Sequence, residues 1–346
     1  MDINSLLLCS MNEGASDLHL SAGISPMLRI NGGLIKTELP PVSKEVLDEF
    51  LKSLLNDHQR DQLDLKIELD FCIDLQLSGR FRVNIFNQHR GRSAVFRVIP
   101  KQVPTFEKLA TANVLKELAL LPRGLVLITG PTGSGKSSTL AAMIDYINEH
   151  RQYHIVTIED PIEFVHKNKQ SLIHQRELFT HTTTFGSALR ASLREDPDVV
   201  AIGEMRDLET IRLALTAAET GHLVLATLHT ASASSTITRI IDVFPAAEKD
   251  LVRSMLSESL RGVVCQNLVK NLKGGRSLAC EILIGTPAVR NLIREDKIPQ
   301  LYSVMQTNSS SQMHTLDQSL QLLLDNGVIE ESVAKDKASA PRSIKK

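Results

Sequence analysis

The chain has no tryptophan, and only 4% of its 346 residues are aromatic. Proteins that hold single-stranded nucleic acid stack bases on aromatic rings, so few such platforms exist here. An excess of one charge is also missing, since 39 Lys and Arg stand against 40 Asp and Glu. No global positive field is available to hold nucleic acid or an anionic membrane, and any such contact has to be local. Cys9, Cys72, Cys265 and Cys280 are scattered without a close pair, which fits neither a disulfide framework nor a thiolate metal site. They read as buried or free thiols. Apolar runs such as GLVLITG at 124–130 and HLVLATLH at 222–229 fall far short of the ~20 residues that cross a bilayer. The amino terminus shows no basic-then-apolar leader. These absences point to a cytoplasmic protein, and its length to two domains at roughly 150 residues each.

Two grammars are present. Up to about residue 99, SDLHLSAG, PMLRING, IELDFCIDL, RFRVNIF and SAVFRVI space their apolar residues as strands do, while Val42–Leu55 and His58–Leu65 have helical patterns. The order predicts an α+β domain over 1–99 with an antiparallel sheet. KQVP, with Pro100 and Pro104 at its ends, marks a linker over 100–104. A helix is expected near 105–120. The apolar runs Leu125–Thr129, Ile155–Ile158, Val199–Ile202 and Leu223–Leu228 then alternate with helical segments, the signature of a wound α/β domain with a largely parallel sheet. Leu208, Ile211, Leu215 and Ala218 step by three and four behind Asp207, a good N-cap, and ahead of Gly221, a good stop. Helical regions follow at 246–262 and 287–331, so the second domain spans 105–334. The polar, basic KDKASAPRSIKK at 335–346 reads as a frayed tail.

Immediately after the first buried strand comes GPTGSGKS, Gly130 to Ser137, running into the helical STLAAMIDYI. This is the phosphate-loop pattern in its required strand-loop-helix context. Glycines let the loop turn its N–H groups inward around phosphate oxygens. Gly130, Pro131, Thr132, Gly133, Ser134, Gly135, Lys136, Ser137 and Ser138 are therefore the candidate nucleotide cradle. Lys136 brings a cation to the β/γ-phosphates, Ser137 a hydroxyl to Mg²⁺, and the helix N-terminus a partial positive charge. Ligands of such sheets gather at the carboxyl ends of the strands, where Glu159, Asp160 and Glu163, then Glu204, then His229 follow successive apolar runs. Glu204 in IGEMRD is the candidate to polarise the attacking water and to hold the metal through a water. His222 and His229 bracket one strand, about 23 Å apart at ~3.3 Å per residue, so they do not share a metal. His229 lies at the phosphate end, while His222 at the far end is as well suited to capping a helix. In Gly79–Phe86 the alternation sends Phe81, Val83 and Ile85 to one face and Arg80, Arg82 and Asn84 to the other.

In this order GPTGSGKS, TIEDPIE, REDPDVVAIGEMRD and TGHLVLATLH resemble the Walker A, Asp, Walker B and His boxes of the secretion ATPases that drive type IV pili and type II secretion. ASDLHLSAG and RFRVNIFNQHRG resemble that family's amino-terminal PAS-like domain. GTPAVRNLIRED is similar to the motif of its pilus-retraction branch, with Val289 where isoleucine is usual. The resemblance implies a RecA-like ATPase domain that binds ATP and Mg²⁺, with Glu204 as catalytic base, Glu159 and Glu163 as the Asp box, His222 and His229 as the His box, and Arg82 and Arg97 reaching the nucleotide. It further implies a homohexamer, peripheral to the inner membrane at the pilus base, that works on the pilus assembly machinery through an inner-membrane platform protein. Pilus extension, type II secretion, nucleic-acid translocation and nucleotide binding without turnover are the competing readings. The missing four-cysteine insertion speaks against the first two, the low charge and aromatic content against the third, and Glu204 against the last. Ala288, Val289, Leu292 and Ile293 are expected to form one apolar stripe behind Pro287, with Arg290 and Asn291 turned away.

Overall fold

A computed structural model describes residues 2–30, 32–65, 68–75, 79–99, 102–109, 113–308 and 312–345. The chain divides into two compact units, Met1–Gln102 with Pro161–Val165, and Val103–Asp160 with His166–Lys346. Of the expected linker, residues 100 and 101 lie outside the described residues.

The first unit runs α1 (Ile3–Asn12), β1 (Asp17–Ser21), β2 (Met27–Ile30), β3 (Gly33–Lys36), α2 (Lys44–Leu54), α3 (Asp57–Leu65), β4 (Glu68–Leu75), β5 (Gly79–Gln88) and β6 (Gly91–Ile99). Its strands pair antiparallel in the order β3-β2-β1-β6-β5-β4. The alternation in β5 is realised, with Phe81, Val83 and Ile85 fully buried against Phe96, Leu18 and Leu20 of neighbouring strands and Leu7, Leu47 and Leu51 of α1 and α2. Asp2 and Ser43 start these two helices by accepting the N–H of Ser5 and Val46. Residues 161–165, expected in the second domain, are held to this unit because Arg80 Nη2 donates to Ile162 O at 2.8 Å and Arg82 Nη1 lies 3.5 Å from Glu163 Oε1.

The second unit begins with α4 (Phe106–Leu109) and α5 (Val114–Ala119) in place of one helix over 105–120, whose residues 110–112 lie outside the described residues. It continues β7 (Gly124–Thr129), α6 (Lys136–His150), β8 (His154–Glu159), β9 (Leu172–Glu177), α7 (Phe185–Ser192), β10 (Val199–Ile202), α8 (Leu208–Glu219), β11 (Leu223–Leu228), α9 (Ala233–Asp242), α10 (Lys249–Ser259), β12 (Leu260–Lys270), β13 (Arg276–Ile284), α11 (Pro287–Arg294), α12 (Leu301–Thr307), α13 (Leu316–Asp325) and α14 (Glu331–Lys337). The sheet order is β13-β12-β7-β11-β10-β8-β9, parallel throughout except for β13. Every residue of β7, β10 and β11 is buried, as strands covered by helices on both faces must be. Asp207 caps α8 by accepting from Thr210 N at 2.8 Å, and Ile211, Leu215 and Ala218 face the core.

Two expectations change here. Instead of fraying, the carboxyl-terminal residues pack. Ile344 is buried with Leu316, Leu320 and Leu324, and the Asp317 carboxylate accepts the N–H of Ser339 at 2.7 Å and of Ala340 at 2.9 Å. Residue 346 lies outside the described residues. The apolar stripe of α11 also divides, with Val289 and Ile293 fully buried, Leu292 half-buried and Ala288 exposed. Among the described residues no helix is long and apolar enough to cross a membrane.

Candidate active site

The phosphate loop leaves the buried end of β7 and becomes α6 without a side-chain cap at Gly135. The first N–H groups of this 15-residue helix are therefore left for an anion. Gly130 has φ +140°, where a side chain would be strained, and an added Cβ would lie 2.6 Å from Ser134 Oγ and collide with Gln266 O. The loop is thus wedged against β12. Gln266 Nε2 also donates to Thr139 Oγ1 at 2.7 Å, tying the first turns of α6 to the same strand. Ser134 Oγ is buried with no hydrogen-bond partner among the described residues. Ser137, on the first turn of α6, is exposed.

Lys136 Nζ donates to Gly130 O at 2.8 Å and Pro131 O at 3.0 Å and lies 3.2 Å from His229 Nδ1. An ammonium has only protons to offer, so Nδ1 is the acceptor and the ring proton sits on Nε2. His229 Nε2 lies 3.2 Å from Glu204 Oε1, and this proton is donated to it. The loop cation, the histidine and the carboxylate form one connected chain across β7, β11 and the turn after β10. That turn is clamped from both sides: Gly203 N donates to Ile158 O at 2.8 Å, Met205 N to Thr227 O at 3.0 Å, and Thr227 Oγ1 to Gly203 O.

Arg206 completes the cluster, with Nη2 2.7 Å from Glu204 Oε2 and Nη1 3.8 Å from Asp160 Oδ2. Burial pushes the Glu204 carboxyl up, but Arg206 and then His229 outweigh it and hold the group below its ordinary value. Sequence reading passed over Arg206. Its pairing spans two residues inside a loop, where no helical or strand period applies.

Glu159 ends β8 and accepts from Thr157 Oγ1 at 2.6 Å and Gln175 Nε2 at 3.0 Å. Glu163 belongs to the first unit, beside Arg82. Arg82 and Arg97 are register partners on β5 and β6. Arg82 grips Asp70, with Nη2 to Oδ2 at 2.8 Å, and Arg97 Nε donates to Asp17 Oδ1 at 2.9 Å. His222 is not brought to Glu204. It precedes β11 at the opposite end from His229, and its Nδ1 donates to Ala217 O at 3.0 Å, closing the end of α8.

Residues 1–323 match the family described as Type II/IV secretion system protein. The chain belongs to this family. Among the secretion-system proteins it is 56% identical over 344 residues to the "Type IV pilus retractation ATPase PilT" of Pseudomonas aeruginosa, covering 99% of this chain and 100% of that one. It is 54% identical over 343 residues to a "Twitching motility protein" of Neisseria gonorrhoeae, covering 99% and 92%. A solved structure of the pilus retraction motor PilT with bound ADP is 44% identical, with a TM-score of 0.91 over 99% of this chain and 98% of that one. This secretion-system protein is an ATPase and uses a nucleotide.

Proposed function

We propose that the chain is a ring-forming motor that hydrolyses ATP to retract type IV pili. The observation that carries the ATP-hydrolysing part of this reading is the connected chain Lys136–His229–Glu204 at the carboxyl end of the parallel sheet, and the likeness to the pilus retraction motor supports the direction of work. It couples the group that meets phosphate to the carboxylate that orients water. The donor set suits nucleotide and Mg²⁺: an uncapped helix N-terminus, a lysine, an exposed Ser137 hydroxyl on the first turn of α6, and an ionised Glu204 after β10 at the same end of the sheet. When bound, Mg²⁺ would neutralise charge on the transferred phosphate, with Ser137 as ligand and Glu204 reaching it through water.

His229 holds Glu204 in place and gives the loop lysine an acceptor. Arg206 keeps Glu204 ionised. Arg82 and Arg97 each rest on an acid of their own sheet, Asp70 and Asp17. In this reading both arginines exchange those acids for nucleotide phosphate during the cycle and so tie turnover to domain movement. The assembled motor is a homohexamer on the cytoplasmic face of the inner membrane, acting on a platform protein of the pilus machinery. Deleting the gene and counting surface pili tests the direction of work. Retraction predicts more pili and no twitching, whereas a bald cell would make this an extension motor.

A further inference from the structure

At the start of β7, the opposite end from the phosphate loop, three arginines gather. Arg261 on β12 lies across Gly124, where φ is +116° and an added Cβ would come within 2.7 Å of Arg261 Nε. Its Nε donates to Arg123 O at 3.2 Å and its Nη1 to Glu258 O at 2.9 Å. Arg290 on α11 donates through Nε to Gly285 O at 2.9 Å, and Gly285 N donates in turn to Arg261 O at 2.8 Å. Main-chain carbonyls thus hold two of the guanidiniums, Arg261 through Nε and Nη1 and Arg290 through Nε, and among the described residues neither is paired with a carboxylate. Burial, then the charges of Arg290 and Arg123, hold the Arg261 guanidinium below its ordinary value, with Glu258 acting the other way. The Glu258 carboxylate is itself taken by Arg294 Nη2 at 2.6 Å. By contrast, Arg82, Arg97, Arg176, Arg206 and Arg212 each have a carboxylate partner within this chain.

We propose that Arg123, Arg261 and Arg290 form a docking face for the carboxylates of an acidic protein segment. Like charges brought together repel one another, the Glu258 carboxylate that acts on Arg261 is already paired with Arg294, and an external anion relieves the repulsion that is left. The planar guanidinium fork matches a carboxylate two bonds at a time. Arg123 is exposed and the other two are half-buried, so each contact is wet and weak alone. Several carboxylates on one chain bind together because the first contact raises the local concentration of the others. At ~3.3 Å per residue the six residues of β7 put this face about 20 Å from the phosphate loop. Nucleotide and partner would not compete. The inference stands independently of the retraction reading.

The test uses the full-length chain and a fluorescein-labelled hexaglutamate peptide, followed by anisotropy at low and at physiological ionic strength. The expected result is saturable binding that weakens with salt, by about tenfold or more in Arg123→Glu and in Arg290→Glu. A hexalysine peptide should not bind. Arg123→Glu should keep the wild-type melting temperature and ATP turnover, so it decides the matter if Arg290→Glu fails to fold. Equal peptide affinity in wild type and Arg123→Glu would overturn the proposal. So would displacement of the peptide by inorganic phosphate at matched charge, which marks a small-anion site. Arginine-dependent binding to phosphatidylglycerol vesicles without peptide binding would overturn it in favour of a lipid surface.

Discussion

Leu292 and Ile293 are sequence neighbours on α11, yet the fold treats them differently, and the contrast separates motor output from stability. Ile293 is fully buried in the main core of the second unit, while Leu292 only packs partly against that core. Truncating a buried Ile costs ~2–4 kcal/mol through lost transfer energy and a residual cavity. At about 2–4 °C per kcal/mol for a unit of this size, Ile293→Ala should melt roughly 5–15 °C lower, with turnover falling alongside. Full burial of a leucine is worth ~1.5–3 kcal/mol, so half-burial places Leu292→Asp near 1 kcal/mol and a shift of about 2–4 °C. If α11 transmits force to a moving neighbour, Leu292→Asp keeps most ATP turnover and loses retraction. Melting temperature, turnover and twitching measured on both proteins check this. A Leu292→Asp chain that loses all three as far as Ile293→Ala does would assign the residue to the core and refute the coupling argument.

Lys136→Ala should abolish nucleotide binding or turnover, because the loop loses its cation, whereas Glu204→Gln should still bind ATP and turn it over ~10²–10⁴-fold more slowly. Filter binding and phosphate release separate the two, and normal turnover in Glu204→Gln would place the base elsewhere. Arg82→Ala and Arg97→Ala should lower kcat more than ATP affinity; unchanged turnover at saturating ATP would return both to a purely structural role on their sheet. Glu204 titrates below its ordinary 4.5, so its ionic contribution is complete above that value and is lost as pH falls through the lower folded one. Arg206→Ala leaves burial less opposed, and the acid limb of kcat/KM should move to higher pH; pH profiles with an unmoved acid limb would show that Arg206 does not set it.

The candidate site of the second unit was legible as a cluster because its residues follow strand ends. GPTGSGKS, Glu204 and His229 each sit directly after an apolar run, and a parallel sheet delivers such positions to one edge. The β5 alternation located Arg82 in the same way. What escaped lacked a period or a contrast. Leu260–Lys270 and Arg276–Ile284 form β12 and β13, but LRGVVCQNLVK follows a helix without a break and its mixed residues conceal the switch of period. Leu172–Glu177, LIHQRE, carries little apolar character because β9 lies at the sheet edge. The packed tail was missed because the buried Ile344 and main-chain bonds to the side chains of Asp317 and Gln321 hold a segment whose composition is otherwise that of solvated chain.

The placing of β7 bears on how the chain emerges during synthesis. This strand is made first among those of its sheet and stands between β12 and β11. Its two flanking partners are supplied only by residues 223–228 and 260–270. Until the ribosome has reached that point, GLVLIT has two open edges of unpaired N–H and C=O groups and apolar side chains on both faces, the condition under which strands pair with the wrong neighbour. The Ala233 N–H at the head of α9 waits longer still, for Glu281, whose carboxylate receives it at 2.7 Å. The nucleotide half of the molecule is therefore bound to mature late, and a nascent chain halted before β12 would be a client for chaperones rather than a partly active enzyme.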